Sequence, residues 1–183
     1  GSIGWILSDE NFLSDSNTLS FLKLRASYGI LGNDRIGDFR YISLISGEGA
    51  YVFDGELIIG TALGNISNPE IKWEEQNSFD IGVDARFFKN KLDFSVDYFN
   101  RRTNDLLLIP EVSFITGNTA PGSGAPFVNA GDVNNSGMEF QIGYKKKVSD
   151  NFSFNVNYNL TTLDNEVLRV DNSLGYTSSG GFG

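Results

Sequence analysis

The stretch FVNAGDVNNSGMEFQIGYKKK, from Phe127 to Lys147, decides the fold. It opens with turn chemistry rich in Asn and Gly, and it closes as a strand. Met138, Phe140, Ile142 and Tyr144 fall on one face, and Glu139, Gln141, Gly143 and Lys145 on the other. Successive side chains of an extended chain point to opposite sides, so this period of two predicts a strand over 136–148 that leaves a turn.

The same period recurs along the chain. Phe152, Phe154, Val156, Tyr158 and Leu160 alternate with Ser153, Asn155, Asn157, Asn159 and Thr161. Leu92, Phe94, Val96 and Tyr98 alternate with Asp93, Ser95 and Asp97. Phe79, Ile81, Val83, Ala85 and Phe87 alternate with Asp80, Gly82, Asp84 and Arg86. A weaker case sets Leu22, Leu24, Ala26 and Tyr28 against Lys23, Arg25 and Ser27, and a partial strand precedes it around Ile3, Trp5 and Leu7. No helical period competes.

Two tight turns can be tested by parity, because residues facing each other across a hairpin must share a face. Between 73–88 and 91–105 the apolar set passes from odd to even numbers, so the loop has even length. A Lys89–Asn90 loop pairs Arg86 with Asp93, whereas a shift by one residue would set Asp84 against Asp97, a like-charge pair. Between 136–148 and 152–164 both sets are even and the loop is odd. Ser149–Asp150–Asn151 fits, with Asn151 expected at positive φ, and Tyr144 then faces Val156. The other connections, 31–72 and 106–135, read as long loops rich in Gly, Asn, Pro and Ser. Short turns at one end and long loops at the other is the pattern of an outer-membrane barrel.

Composition narrows the chemistry. The chain has 183 residues, 23 acidic against 14 basic, and neither His nor Cys. Disulfides, thiolate or imidazole metal sites, and Ser–His or Cys–His nucleophiles are excluded. The net charge of −9 disfavours nucleic acid. No apolar run reaches the ~18 residues of a membrane helix, but a barrel strand needs only about 9–11 alternating residues. The first residue is not Met and the last six are SSGGFG, which reads as part of a longer chain.

Alternation alone does not say which face meets water. A soluble β-sandwich, such as a carbohydrate-binding or adhesin module, would bury Phe94, Phe154 and Val156. A membrane barrel would turn them to lipid and line its lumen with the polar set. Strands of about ten residues, against a usual five or six, and an apolar set crowded with Phe and Tyr favour the barrel.

Several spaced segments carry a resemblance. NPEIKWEEQNSFDIGVD (Asn68 to Asp84), DYFNRRTNDLLL (Asp97 to Leu108), the series Asn129, Gly131, Asn135, Gly137 and Glu139, LKLRASYGILGN (Leu22 to Asn33) and NEV (Asn165 to Val167) follow in order. Together they resemble the barrel of SusC/RagA-like TonB-dependent outer-membrane transporters. The resemblance implies an all-β fold: about six antiparallel, up-and-down transmembrane strands of a larger, plugged barrel. Residues 1–183 would be part of that barrel domain, with the plug and terminal strands outside them. It further implies a nutrient importer for oligosaccharides or peptides in the outer membrane of a Gram-negative, Bacteroidetes-like bacterium. Its partners would be a SusD-like surface lipoprotein and the TonB complex, with no cofactor and no enzymatic role.

Asp80, Asp84, Asp93 and Asp97 read as lumen charges, paired with Arg86 or solvated, rather than as acid–base catalysts. Lys146 points by parity to the lipid side beside a periplasmic turn, where it reaches toward phospholipid headgroups. Trp73 reads as an interfacial anchor. Gly131 and Gly137 either take positive φ or let backbones approach. Arg101 and Arg102 lie near the outer rim, with a structural role against Asp105 or a binding role. Tyr51 and Phe53 sit in the outer loop Gly47–Gly60, where aromatic rings could stack on a ligand. Tyr51, Phe53 and Arg101 are therefore the candidate ligand contacts.

Overall fold

A computed structural model describes residues 1–13, 16–34, 37–110 and 124–171. Eight strands follow one another: β1 (Ser2–Ile6), β2 (Leu19–Asn33), β3 (Ile45–Phe53), β4 (Glu56–Leu63), β5 (Glu74–Phe87), β6 (Leu92–Leu108), β7 (Val128–Ser149) and β8 (Phe152–Val170). Six form one sheet in the order β1-β2-β5-β6-β7-β8, and β3 and β4 form a separate two-stranded sheet. Neighbours in the large sheet are therefore neighbours in sequence once the β3–β4 hairpin is set aside, which is an up-and-down meander. The last four strands have 14, 17, 22 and 19 residues, all beyond the ~9–11 that cross a bilayer.

The chain divides into two compact units. The first comprises Gly1–Leu31, Gln76–Arg102 and Val133–Glu166, and the second Gly32–Glu75, Thr103–Asp132 and Val167–Gly183. The first carries ten Lys and Arg against eleven Asp and Glu; the second carries four against twelve.

In the first unit, β1 and β2 pair antiparallel with Ile3 opposite Ala26 and Trp5 opposite Leu24, so their apolar sets share a face. Between β5 and β6 the connection is four residues rather than two. Phe88, Lys89 and Asn90 are all left-handed, at φ 55°, 57° and 62°, and the Lys91 N–H donates to the Phe87 carbonyl at 3.0 Å. The length is still even, so parity survives: Arg86 meets Asp93 at 3.4 Å, and the Ser95 hydroxyl donates to Asp84 at 2.7 Å. Between β7 and β8 only Asp150 and Asn151 stand outside the strands, and Asn151 is not left-handed, contrary to expectation. The register is nonetheless the expected one. The Met138 N–H reaches the Thr162 hydroxyl at 3.1 Å, and Asn157 lies against Gly143. Both pairs belong to the alignment that sets Tyr144 opposite Val156.

The segment read as a turn before Met138 is strand. β7 runs unbroken from Val128, and Gly131 and Gly137 are not among the glycines with positive φ. Their role is close approach. A Cβ on Gly137 would strike the Thr162 carbonyl oxygen and the Phe99 ring, and one on Gly131 would lie 3.4 Å from Leu106. Asn129 likewise bonds across to Lys72 and Asp105, as described below.

Only Ala85, Phe99 and Ala130 are buried apolar residues among those described. Phe94, Phe154 and Val156 are 38%, 37% and 60% exposed, so the core that a sandwich would build around them does not form among the described residues.

The second unit contains the β3–β4 hairpin within what reads in sequence as loop 31–72. Its turn is Asp54–Gly55, both at positive φ (51° and 80°), the type I′ geometry that matches strand twist. The pairing runs from Phe53–Glu56 back to Gly49–Gly60, with a register shift between Ser46 and Gly49.

Candidate functional site

The inner, polar face of the first unit is organised by Arg25 on β2. Its guanidinium binds Asp84 through Nε at 2.9 Å and Nη2 at 3.2 Å. It also binds Asp97 through Nη1 and Nη2, each at 2.7 Å. Two carboxylates from adjacent strands are thus each held in bidentate fashion, the geometry in which guanidinium outperforms ammonium. Ser95 completes the group by donating to Asp84. Gly82 lies beneath it; a Cβ there would collide with Asp97 and crowd the guanidinium carbon at 2.9 Å. All four aspartates read as lumen charges find arginines: Asp84 and Asp97 share Arg25, Asp93 meets Arg86, and Asp80 meets Arg101 at 3.8 Å.

Arg101 therefore faces Asp80, and its guanidinium also lies 5.1 Å from the centroid of the buried Phe99 ring. Its side chain is half exposed. Asp105 is met by Arg169 at 3.5 Å, a partner on β8 that the sequence reading did not assign.

Arg169 centres the second unit. It forms a bidentate pair with Asp132 through Nε at 3.0 Å and Nη2 at 3.2 Å, and it contacts Asp171. Asp132 is 9% exposed and also accepts the Asp105 N–H at 3.1 Å. Asp105 is left-handed at φ 55° inside β6, so its backbone leaves the ladder and a side chain takes up its donor. Asn129 works the same way. Its Oδ1 accepts the Lys72 N–H, and its Nδ2 donates to the carbonyls of Lys72 and Asp105, at 2.8–2.9 Å. Glu74 accepts from the Leu107 N–H at 2.9 Å and from Asn33 at 2.7 Å. Asn68 donates to the Phe127 carbonyl at 2.9 Å, and Arg40 covers the Phe127 ring. Trp73 is exposed beside Gly32. Asn68, Glu74 and Asn129, three of the residues that carried the resemblance, are thus latches on backbone groups.

Tyr51 and Phe53 stand two apart on β3, and so share a face with their cross-strand partners Ile58 and Glu56. Both rings are exposed, at 72% and 66%. Ala50, Val52, Leu57 and Ile59 occupy the opposite face. Tyr51 and Phe53 belong to the second unit and Arg101 to the first. Among the described residues no group of His, Cys, Asp and Glu is placed to hold a metal ion, and no helix is long and apolar enough to cross a membrane.

The family described as TonB dependent receptor-like, beta-barrel matches residues 11–181. The chain belongs to that family. It is 34% identical over 98% of its length to TonB-dependent receptor SusC of Bacteroides thetaiotaomicron. It is 33% identical over 93% of its length to TonB-dependent receptor P3 of Formosa agariphila. It spans 18% and 16% of those receptors' own lengths. Among solved structures it resembles the RagAB peptide importer in its closed-closed state, with a TM-score of 0.80 and 26% identity, over 98% of this chain and 19% of that one. The RagAB peptide transporter gives a TM-score of 0.77 over 92% and 18%. The six-stranded meander of this family member is thus a segment of TonB-dependent receptor barrel wall.

Proposed function

We propose that residues 1–183 form part of the barrel domain of an outer-membrane, TonB-dependent nutrient importer of the SusC type. The observation that carries this reading is the two-faced sheet: Phe, Ile, Val and Tyr exposed on one side, and an arginine-clamped polar face on the other. A wall with lipid on one side and a wet or plugged lumen on the other makes both faces favourable. The plug and the remaining strands lie outside this segment, as does the part that engages the TonB complex. The host is a Gram-negative, Bacteroidetes-like bacterium, in keeping with the sources of the relatives.

The cargo is an oligosaccharide or a peptide, delivered with a SusD-like surface lipoprotein. The relation to SusC supports this pairing, and the likeness to a peptide importer keeps peptides in view. Tyr51 and Phe53 are the proposed cargo contacts on the hairpin, and Arg101 is a contact on the inner face. The test is uptake by a deletion strain carrying the full-length receptor. Uptake should vanish without TonB, and Tyr51→Ala with Phe53→Ala should raise the half-saturating cargo concentration about five- to thirty-fold, the cost of losing one good aromatic anchor. TonB-independent uptake would sink the importer reading. Unchanged half-saturation in the double variant would remove the hairpin from the binding site.

A further inference from the structure

On β6, Asp93, Ser95 and Asp97 lie on the polar inner face, and by period two Phe99 and Arg101 continue it. A phenylalanine breaks that polar pattern, yet its ring is only 6% exposed. Gly137 on β7 makes the room: a Cβ there would stand 2.8 Å from Phe99 Cζ and 3.1 Å from Cε1. The ring is thus seated in a glycine notch. The Arg101 guanidinium carbon lies over it, 5.1 Å from the centroid.

The arginines of this face differ in what else holds them. Arg25 is clamped by two carboxylates at 2.7–3.2 Å. Arg86 repeats the stacking, 5.0 Å from the Phe21 centroid, but Asp93 stands 3.4 Å from its Nε. Arg101 has Asp80 at 3.8 Å from Nη2, beyond hydrogen-bond reach. No hydrogen bond from its guanidinium reaches a described residue. A guanidinium carries five N–H donors in a planar fork. Here a buried ring holds the fork in place while the side chain stays half exposed. Arg101 also lies nine residues beyond Leu92, about 30 Å along the strand from the β5–β6 turn. In the barrel reading that is the end reached from outside the cell.

We propose that Arg101 is the receptor for a carboxylate of the imported cargo, and that Phe99, seated on Gly137, is its positioning residue. The proposal rests on the importer reading above and gives its inner-face contact a ligand class. A guanidinium fork matches a carboxylate through two parallel N–H bonds, and a fork already held in place loses less freedom on binding. A neutral hydroxyl accepts one such bond and does not answer the charge. The carboxylate belongs either to a uronic acid of an oligosaccharide or to the C-terminus of a peptide.

The test treats the full-length receptor in detergent with phenylglyoxal and reads modification at each arginine by mass spectrometry. Arg101 should react about tenfold or more faster than Arg25, whose charged hydrogen bonds must first break. Arg101 as slow as Arg25 would show its donors taken by another part of the chain and would overturn the proposal. The probes are trigalacturonate against its methyl ester, and trialanine against its C-terminal amide. An acid should slow modification of Arg101 about fivefold, and its neutral counterpart should not. Protection by either acid supports the receptor, and the stronger one names the source. Protection by neither acid, or equally by the neutral counterparts, would overturn it. Phe99→Leu should raise the half-protecting concentration about two- to fivefold by removing the ring beneath the cation, with Arg25 still slow as the sign of an intact wall. An unchanged concentration would remove the positioning role. With TonB-dependent uptake intact, these failures overturn only the carboxylate site; TonB-independent uptake would overturn the importer reading itself.

Discussion

The two units solve the same problem, satisfying every polar group of extended chains, by different means. In the first unit regular pairing satisfies the backbone, so side chains are free to divide strictly by face. Apolar residues go to one side, and Arg25, Asp84, Asp97, Arg86 and Asp93 cancel one another on the other. In the second unit the backbone departs from the ladder, at Asp105 and at the approach to Trp73, and side chains of Asn129, Glu74 and Asp132 stand in for the missing strand partners. The charge follows. The unit built on pairing is nearly balanced, at ten basic to eleven acidic residues, while the unit built on carboxylate and amide acceptors is strongly acidic, at four to twelve. Regularity cancels charge in pairs, whereas irregularity uses charge to bind the backbone.

The largest expected effect comes from breaking the division by face. Val156→Arg puts a cation on the side taken to face lipid, four residues into β8 and close to mid-bilayer. The full-length barrel should lose about 2–4 kcal/mol in reversible unfolding from vesicles. A neutral result would mean that this face meets water.

Next in size is the inner face. Arg25→Met leaves Asp84 and Asp97 facing each other without their shared cation. Loss of the charged hydrogen bonds should cost about 1.5–3 kcal/mol, discounted toward the lower end because the group is a third exposed. Adding Asp84→Asn and Asp97→Asn should restore part of it. An additive further loss would show that the three residues do not act as one group.

The smallest effect should fall on the second unit alone. Gly55→Ala forces a Cβ into a left-handed turn at φ 80°, costing about 1–2 kcal/mol locally. Proteolytic cleavage within 45–63 should quicken while the unfolding midpoint of the barrel stays put. A shifted midpoint would mean that the hairpin and the wall unfold together.

What the sequence made legible tracks the same contrast. Where pairing is regular, period two and loop parity were enough to find the faces, the register and the partners Arg86 and Asp93. Arg25 was visible only as one polar residue in a weak strand, because its partners come from β5 and β6, 59 and 72 residues away. In the first half of β7 local signals misled. Asn129, Gly131 and Gly137 carry turn composition, yet they lie within β7 because their small or amide side chains are needed by neighbouring strands. The β3–β4 hairpin did have a local signal, Asp54–Gly55 between Tyr51-Val52-Phe53 and Leu57-Ile58-Ile59, the pattern of a type I′ turn. Reading that segment by its ends as loop passed over it.

The most direct test of the account is a nitroxide at Val156 in the full-length receptor in lipid, with relaxation measured by dissolved oxygen and by a water-soluble nickel complex. The account predicts that oxygen dominates at Val156, because that side chain lies in the acyl region. Relaxation dominated by nickel, or shielding from both agents as in a packed sandwich core, would contradict it.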